Sequence, residues 1–289
     1  MSQIQQAGQA RVAAIQMVSS ADVESNLMQA GQLLSEAARS GVQLAVLPEN
    51  FACMPVRESQ RLESAEPDGD GPIQRFLSRQ ARALGLWLVG GTIPLRSEEE
   101  FRPAAATLVF DDTGRRLARY DKIFLFDVAV PGRSESYRES DGIRPGRKRV
   151  VIDSPVGRLG LAVCYDLRFP ELFRAMLESG LQTIALPAAF TAATGQDHWE
   201  ILVRARAVEN LCWVIAAGQG GRHDGGRETF GDSMIVDPWG AVNARLEHGP
   251  GVVVADIDLA RQAEIRSRFP ALEHRRHGDT IGEPESSDD

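Results

Sequence analysis

The sequence predicts an α/β layer protein, in which apolar strands alternate with amphipathic helices. Three observations carry that expectation. Short apolar runs recur along the chain, several of them continuous rather than alternating, as in strands covered on both faces. Helical stripes separate some of these runs. The pattern also echoes itself, because one helix leads into LAVLPEN (44–50) and another into TIALPAA (183–189). Two helix-then-strand units that each reach Leu-Pro read as the two halves of a sandwich with two central sheets.

Taken in order, strands are expected at 12–18, 44–47, 86–90, 107–110, 150–152, 159–164, 183–186, 213–217, 234–236 and 252–257. The first helix, 23–40, places Val23, Leu27, Ala30, Leu33, Leu34 and Ala37 on one stripe. Similar patterns predict helices over 73–84, 171–179 and 199–210. GRHDGG (221–226) and DGDG (68–71) read as loops, and PWG (238–240) as a turn between strands. No Pro/Ser-rich linker divides the chain. The expected organisation is therefore a flexible 1–9, a single domain over 10–275 and an acidic tail over 276–289.

Composition narrows the function classes. A chain of 289 residues can bury a large core without metals or disulfides. Its 32 basic and 40 acidic residues give a formal net charge of −8, so the total suggests neither nucleic acid nor an anionic membrane as partner. Cys53, Cys164 and Cys212 are far apart, with no CxxC and no Cys/His spacing that matches a zinc site. That predicts a reducing, cytoplasmic setting and no metal. The N-terminal stretch lacks a basic segment followed by a long apolar one, so no signal peptide is expected. The most apolar window, 84–95, is shorter than the ~20 residues of a membrane span.

Three residues invite chemistry. Cys164 ends the strand RLGLAVC and precedes the polar YDLR, a strand-to-turn corner where a sulfur can be exposed near backbone N–H groups. The plain alternative is a buried core cysteine. Glu49 follows an apolar strand and Pro48, at a carboxyl end where α/β sites gather. There it would serve as an acid/base, or be a solvated loop carboxylate. Lys122 leads into the bulky run IFLF, where an ammonium is either half buried, ready to hold an oxyanion, or paired with Asp121 at the surface. Of five histidines only His198 lies near a patterned segment, and there packing is expected rather than proton transfer. GQGGRHDGG is no phosphate loop, since neither a GK[ST] ending nor a following helix is evident.

The combination is more specific than its parts. LPEN (47–50), YDKIFLFDV (120–128) and GLAVCYDLRFPEL (160–172), in this order, closely resemble the three motifs of the nitrilase superfamily, the carbon–nitrogen hydrolases. The resemblance extends through TGQDHWEILVRARAVEN (194–210) and GDSMIVDPWG (231–240) to about residue 275. It implies a four-layer αββα sandwich, assembly into a homodimer or higher homo-oligomer, and no cofactor. It also implies a catalytic triad of Glu49, Lys122 and Cys164, with Glu139 of SYRES in support. Tyr165, through its backbone N–H, and Arg168, Asn50 and Phe190 are then expected near the oxyanion and substrate. Arg168 would either grip a substrate carboxylate or pair with Asp166 or Glu171 to brace the turn, and bracing is the favoured reading.

The implied reaction is hydrolysis of a small-molecule amide through a thioester. KIFLFDVAVPG, SYRES and HWEILVRARAVEN look most like the Nit branch, whose members cleave amides of 2-oxo acids. One subgroup acts on deaminated glutathione and another, the ω-amidases, on 2-oxoglutaramate. FGDSMIVDPWG and EHRRHGD are more similar to the first. The Fhit-like domain fused to some members is not expected here.

Overall fold

A computed structural model describes residues 8–57, 59–99, 101–130 and 135–276. The acidic end of the chain and residues 1–7 lie outside the described residues. The strands are β1 (Gln9–Gln16), β2 (Leu44–Val46), β3 (Trp87–Val89), β4 (Ile93–Leu95), β5 (Ala104–Phe110), β6 (Arg116–Asp121), β7 (Asp127–Ala129), β8 (Ser136–Arg138), β9 (Val151–Ser154), β10 (Gly157–Leu161), β11 (Thr183–Ala188), β12 (Trp213–Gly218), β13 (Ser233–Val236), β14 (Val242–Leu246) and β15 (Gly251–Asp258). The helices are α1 (Val23–Arg39), α2 (Ser59–Glu63), α3 (Pro72–Leu84), α4 (Pro170–Leu177), α5 (Ala192–Asn210) and α6 (Leu259–Arg268).

The strands form two large sheets and one small hairpin of β7 with β8. In the first sheet β15 runs antiparallel to β1, the strands β1, β2 and β3 are parallel, and β5 then β6 return antiparallel. In the second, β9 is antiparallel to β10, the strands β10, β11 and β12 are parallel, and β13 then β14 return antiparallel. The two sheets thus repeat one topology, which is the echo heard in LAVLPEN and TIALPAA.

Side chains alternate along each strand and so serve two layers. Val12, Ala14, Leu44 and Val46 point into the core shared with the second sheet. Ala13, Ile15, Ala45 and Leu47 pack instead against Ala30, Leu34 and Ala37 of α1 and against Phe76 and Leu77 of α3. On the far side, Phe173 and Met176 of α4 and Trp199 and Val203 of α5 cover the second sheet. The order is helix, sheet, sheet, helix: an αββα sandwich.

Local chemistry sets the helix ends. Asp22 accepts the Ser25 N–H at 2.7 Å to open α1, and Asp258 accepts that of Arg261 at 2.8 Å to open α6. Pro72 and Pro170 stand in the first turns of α3 and α4, where a missing N–H costs nothing. Helix α5 begins at Ala192, seven residues before the start read from sequence. Its apolar stripe starts only at Trp199, but Thr191 caps the earlier turn. Strands β4, β6, β7, β8 and β14 were not read from sequence. Pro94 sits on β4, which pairs with β5 on one side and makes a single bridge to Glu66 on the other, and β6 and β14 are half-exposed edge strands with mixed polarity. Helix α6 was missed too. It docks by polar bonds, with Gln262 donating to the carbonyls of Gln182 and Leu211 at 2.8 and 2.9 Å, rather than by an apolar stripe.

Candidate active site

Both sheets send a carboxyl end to the same place. The chain leaves β2 through Leu47 and Pro48 to Glu49, which is 3% exposed. Asn50 then turns in the left-handed region (φ 56°), a conformation asparagine tolerates. The Asn50 N–H donates to Thr92 Oγ1 at 2.8 Å, and the Glu49 carbonyl accepts from Gln219 Nε2 at 3.0 Å. Gly91 (φ 57°) lies so close that a Cβ there would stand 2.2 Å from the Pro48 oxygen. Only glycine fits.

From the second sheet, β10 continues through an extended Val163 to Cys164, whose φ of 47° is unusual for a residue with a side chain. The bend breaks the strand at the sulfur and starts a short 3-10 turn, Cys164–Arg168. Asp166, fully buried, holds the bend. It accepts the Val163 N–H at 2.8 Å, the Tyr120 hydroxyl at 2.7 Å and the Phe124 N–H at 2.9 Å. One carboxylate therefore ties the cysteine bend to the segment that carries Lys122. Burial pushes this carboxyl up to about 6 in spite of its donors.

Lys122 follows β6 and is 1% exposed. Its Nζ lies 2.8 Å from Glu49 Oε1, and 3.0 and 2.8 Å from the two carboxylate oxygens of Glu139. Glu139 also accepts the Phe126 N–H at 2.7 Å. Asp121, the alternative partner weighed from sequence, pairs with Arg119 instead. Against the burial that would lower it, Glu139 and Glu49 hold the ammonium above its ordinary pKa. Burial would raise Glu139, but Lys122 and then Arg61 keep it below the ordinary value.

The Cys164 thiol is 7% exposed. Burial first, and the Glu49 charge second, push its pKa well above that of a free cysteine, while Lys122 pulls it down. The Glu49 side chain acts further to raise it, and the Ala189 backbone N–H to lower it. The resting sulfur is thus a neutral thiol beside a carboxylate that can take its proton. Moving that proton transfers one negative charge from Glu49 to sulfur and frees Lys122 to face it. Cys53 and Cys212 are buried and unpaired, and burial pushes Cys212 up to about 12.

A pocket of about 770 Å³ opens over these groups and is lined also by Asn50, Tyr165 and Phe190. Tyr165 meets Phe126 and Phe169 edge-on, and Phe190 packs on Trp199. Arg168 departs from expectation. It neither lines the pocket nor pairs with Asp166 or Glu171; its guanidinium lies over the rings of Tyr165 and Phe190, at 5.8 and 5.3 Å, and 3.3 Å from His198 Nδ1. Asp166 has its bonds filled from within, so Arg168 settles on the aromatic faces instead. His198 faces this arginine, and His223 bridges the Ser19 carbonyl and Thr229 Oγ1, both at 2.8 Å. Among the described residues, no group of three or more His, Cys, Asp or Glu is arranged to hold a metal, and no helix is long and apolar enough to cross a membrane.

Sequence reasoning missed Asp166, Tyr120 and Gln219. The first two stand two positions from Cys164 and Lys122, in CYD and YDK, but nothing local says that they meet.

Comparison with known proteins agrees with this fold. Residues 11–267 match the family model described as carbon-nitrogen hydrolase. The chain is 42% identical over 270 residues, 92% of its length and 93% of the relative's, to a deaminated glutathione amidase of Yersinia enterocolitica. The Caenorhabditis elegans NitFhit crystal structure superposes with a TM-score of 0.87 at 36% identity; the match covers 93% of this chain and 65% of that longer one. An amidase from Nesterenkonia sp. AN1, in a form where acrylamide has added to the active site cysteine, aligns with a TM-score of 0.75 at 27% identity, covering 90% of this chain and 98% of that one.

Proposed function

The chain belongs to the carbon-nitrogen hydrolase family, and from that premise we propose that it is a cysteine amidase that cleaves the amide bond of a 2-oxo acid, with deaminated glutathione as its substrate. The observation that carries the reading is the buried Glu49–Lys122–Glu139 cluster lying against the Cys164 thiol. Glu49 takes the thiol proton as sulfur attacks the amide carbon. Lys122 and the Tyr165 N–H steady the oxyanion, and Glu139 keeps the ammonium charged and in place. The C–N bond breaks as Glu49 returns the proton to the leaving amine, and a thioester remains. Water, deprotonated by Glu49, then adds to the thioester; the C–S bond breaks, releasing the oxo acid and restoring the thiol.

The choice of substrate is supported by the similarity to deaminated glutathione amidases over nine-tenths of the chain. A side-by-side assay of deaminated glutathione, 2-oxoglutaramate, a simple nitrile and a carbamoyl amino acid tests it. The highest kcat/KM is expected for deaminated glutathione. A higher value for 2-oxoglutaramate would make the protein an ω-amidase, and one for the nitrile would overturn the branch.

The enzyme is read as a cytoplasmic homodimer. Three unpaired cysteines suit a reducing compartment. Ile201 (70% exposed) and Val208 lie on one face of α5, Val208 against Gly240, and the neighbouring Trp239 (57% exposed) meets Phe269 edge-on. An apolar face of this kind marks a contact surface. Sedimentation of the wild type should give a dimer and that of Ile201→Glu a monomer; identical profiles for the two would remove this face from the assembly.

A further inference from the structure

Among the described residues the pocket is cationic in a protein of formal charge −8: Arg57, Arg61, Arg138, Arg227 and Lys122 face it against Glu49 and Glu139. Most of these cations have an account. Lys122 sits between the two glutamates, Arg61 donates to Asn50 Oδ1 at 3.2 Å and acts on Glu139, and Arg57 and Arg138 are exposed.

Arg227 is different. One Nη donates to the Ala189 carbonyl at 3.1 Å, and the guanidinium lies over the Tyr137 ring at 5.5 Å. Its Nε is buried with no hydrogen-bond partner. Among the described residues no carboxylate pairs with it. A partly dehydrated guanidinium without a counter-ion is costly, and its planar fork fits a carboxylate.

Its placement is also braced. The His223 N–H donates to the Arg227 carbonyl at 2.9 Å, and the His223 ring is clamped between Ser19 and Thr229. The anchor, Ala189, lines the same pocket as Cys164, and its backbone N–H acts to lower the thiol pKa. One residue thus faces both the arginine and the sulfur.

We infer that Arg227 is a specificity residue, the binding point for a carboxylate of the substrate, held at a set distance from the carbonyl that Cys164 attacks. The inference rests on the reading of the site as a 2-oxo acid amidase. The test is Arg227→Ala and Arg227→Lys, assayed on deaminated glutathione and on 2-oxoglutaramate. KM should rise roughly 10- to 100-fold in the alanine variant, the range for a lost charge-assisted hydrogen-bonded pair, with kcat within about threefold and the unfolding midpoint unchanged. Lysine should restore only part, since a point charge lacks the fork. A rise confined to deaminated glutathione places the carboxylate on the leaving-amine side, and a rise for both places it on the oxo-acid side. An unchanged KM for both, or a fall in kcat alone, overturns the inference. Binding of 2-oxoglutarate and of cysteinylglycine to the Cys164→Ala protein, with and without Arg227→Ala, gives a readout that survives failure of the functional reading. Equal affinities there for both products would sink the carboxylate site whatever the reaction proves to be.

Discussion

Lys122→Met is expected to cut kcat by about 10²–10³ and to lower the unfolding free energy by about 3–5 kcal/mol, the usual cost of leaving a buried charge without its partner. Methionine keeps the length of the side chain but removes the cation from between Glu49 and Glu139, whose carboxylates lie 2.8 Å from Nζ. Removing a stabilising charge from a developing oxyanion costs on the order of 10²–10³ in kcat. The stability loss carries a signature in pH. In the wild type, Glu139 is held below its ordinary pKa, so its contribution is present above the unfolded value of about 4.3 and is lost as pH falls through the lower folded one. In the variant burial acts on Glu139 without Lys122 to oppose it, so its carboxyl moves up and acid favours its neutral, folded form. The gap between the two proteins should therefore narrow on acidification, as urea titrations at several pH values would show. Adding Glu139→Gln to Lys122→Met should recover part of the stability and none of the activity. A single variant of wild-type stability at neutral pH would mean that the cluster is hydrated and open.

Glu49→Gln is expected to separate the two things that this carboxylate does to the sulfur. As the proton acceptor, its loss should reduce kcat/KM by about 10²–10⁴. As a negative charge beside a buried thiol, it also holds the Cys164 pKa up. The amide variant should therefore carry more thiolate at neutral pH and be alkylated faster by iodoacetamide, by about tenfold for each unit of pKa recovered. Peptide mapping of Cys164 against time, alongside amidase assays, reads both effects. Slower alkylation in the variant would show that Glu49 activates the resting sulfur rather than restraining it, and the charge argument would fail.

Much of this architecture was legible in the chain because strands buried on both faces must be continuously apolar, and β2, β5, β11 and β12 are. The edge strands were not, since a half-exposed strand such as RLARYD carries too mixed a pattern to stand out. Among the site residues, motif order pointed to Glu49, Lys122, Cys164 and Glu139, and the fold brings their side chains into one buried cluster. Arg168 was misjudged from sequence. Nearness along the chain favoured Asp166 as its partner, whereas Asp166 is spent on Tyr120, Phe124 and Val163.

The sequence by itself determined the layered α/β class, the internal repeat and the candidate residues that meet at the pocket, because apolar periodicity and motif spacing are properties of neighbouring residues. The tertiary structure alone decided that a carboxyl end of each sheet meets at one pocket, that Lys122 lies between two carboxylates, that Asp166 joins the cysteine bend to the lysine segment, and that no carboxylate among the described residues pairs with Arg227. Those are distances between parts of the chain far apart in sequence, and only the closing of two sheets face to face sets them.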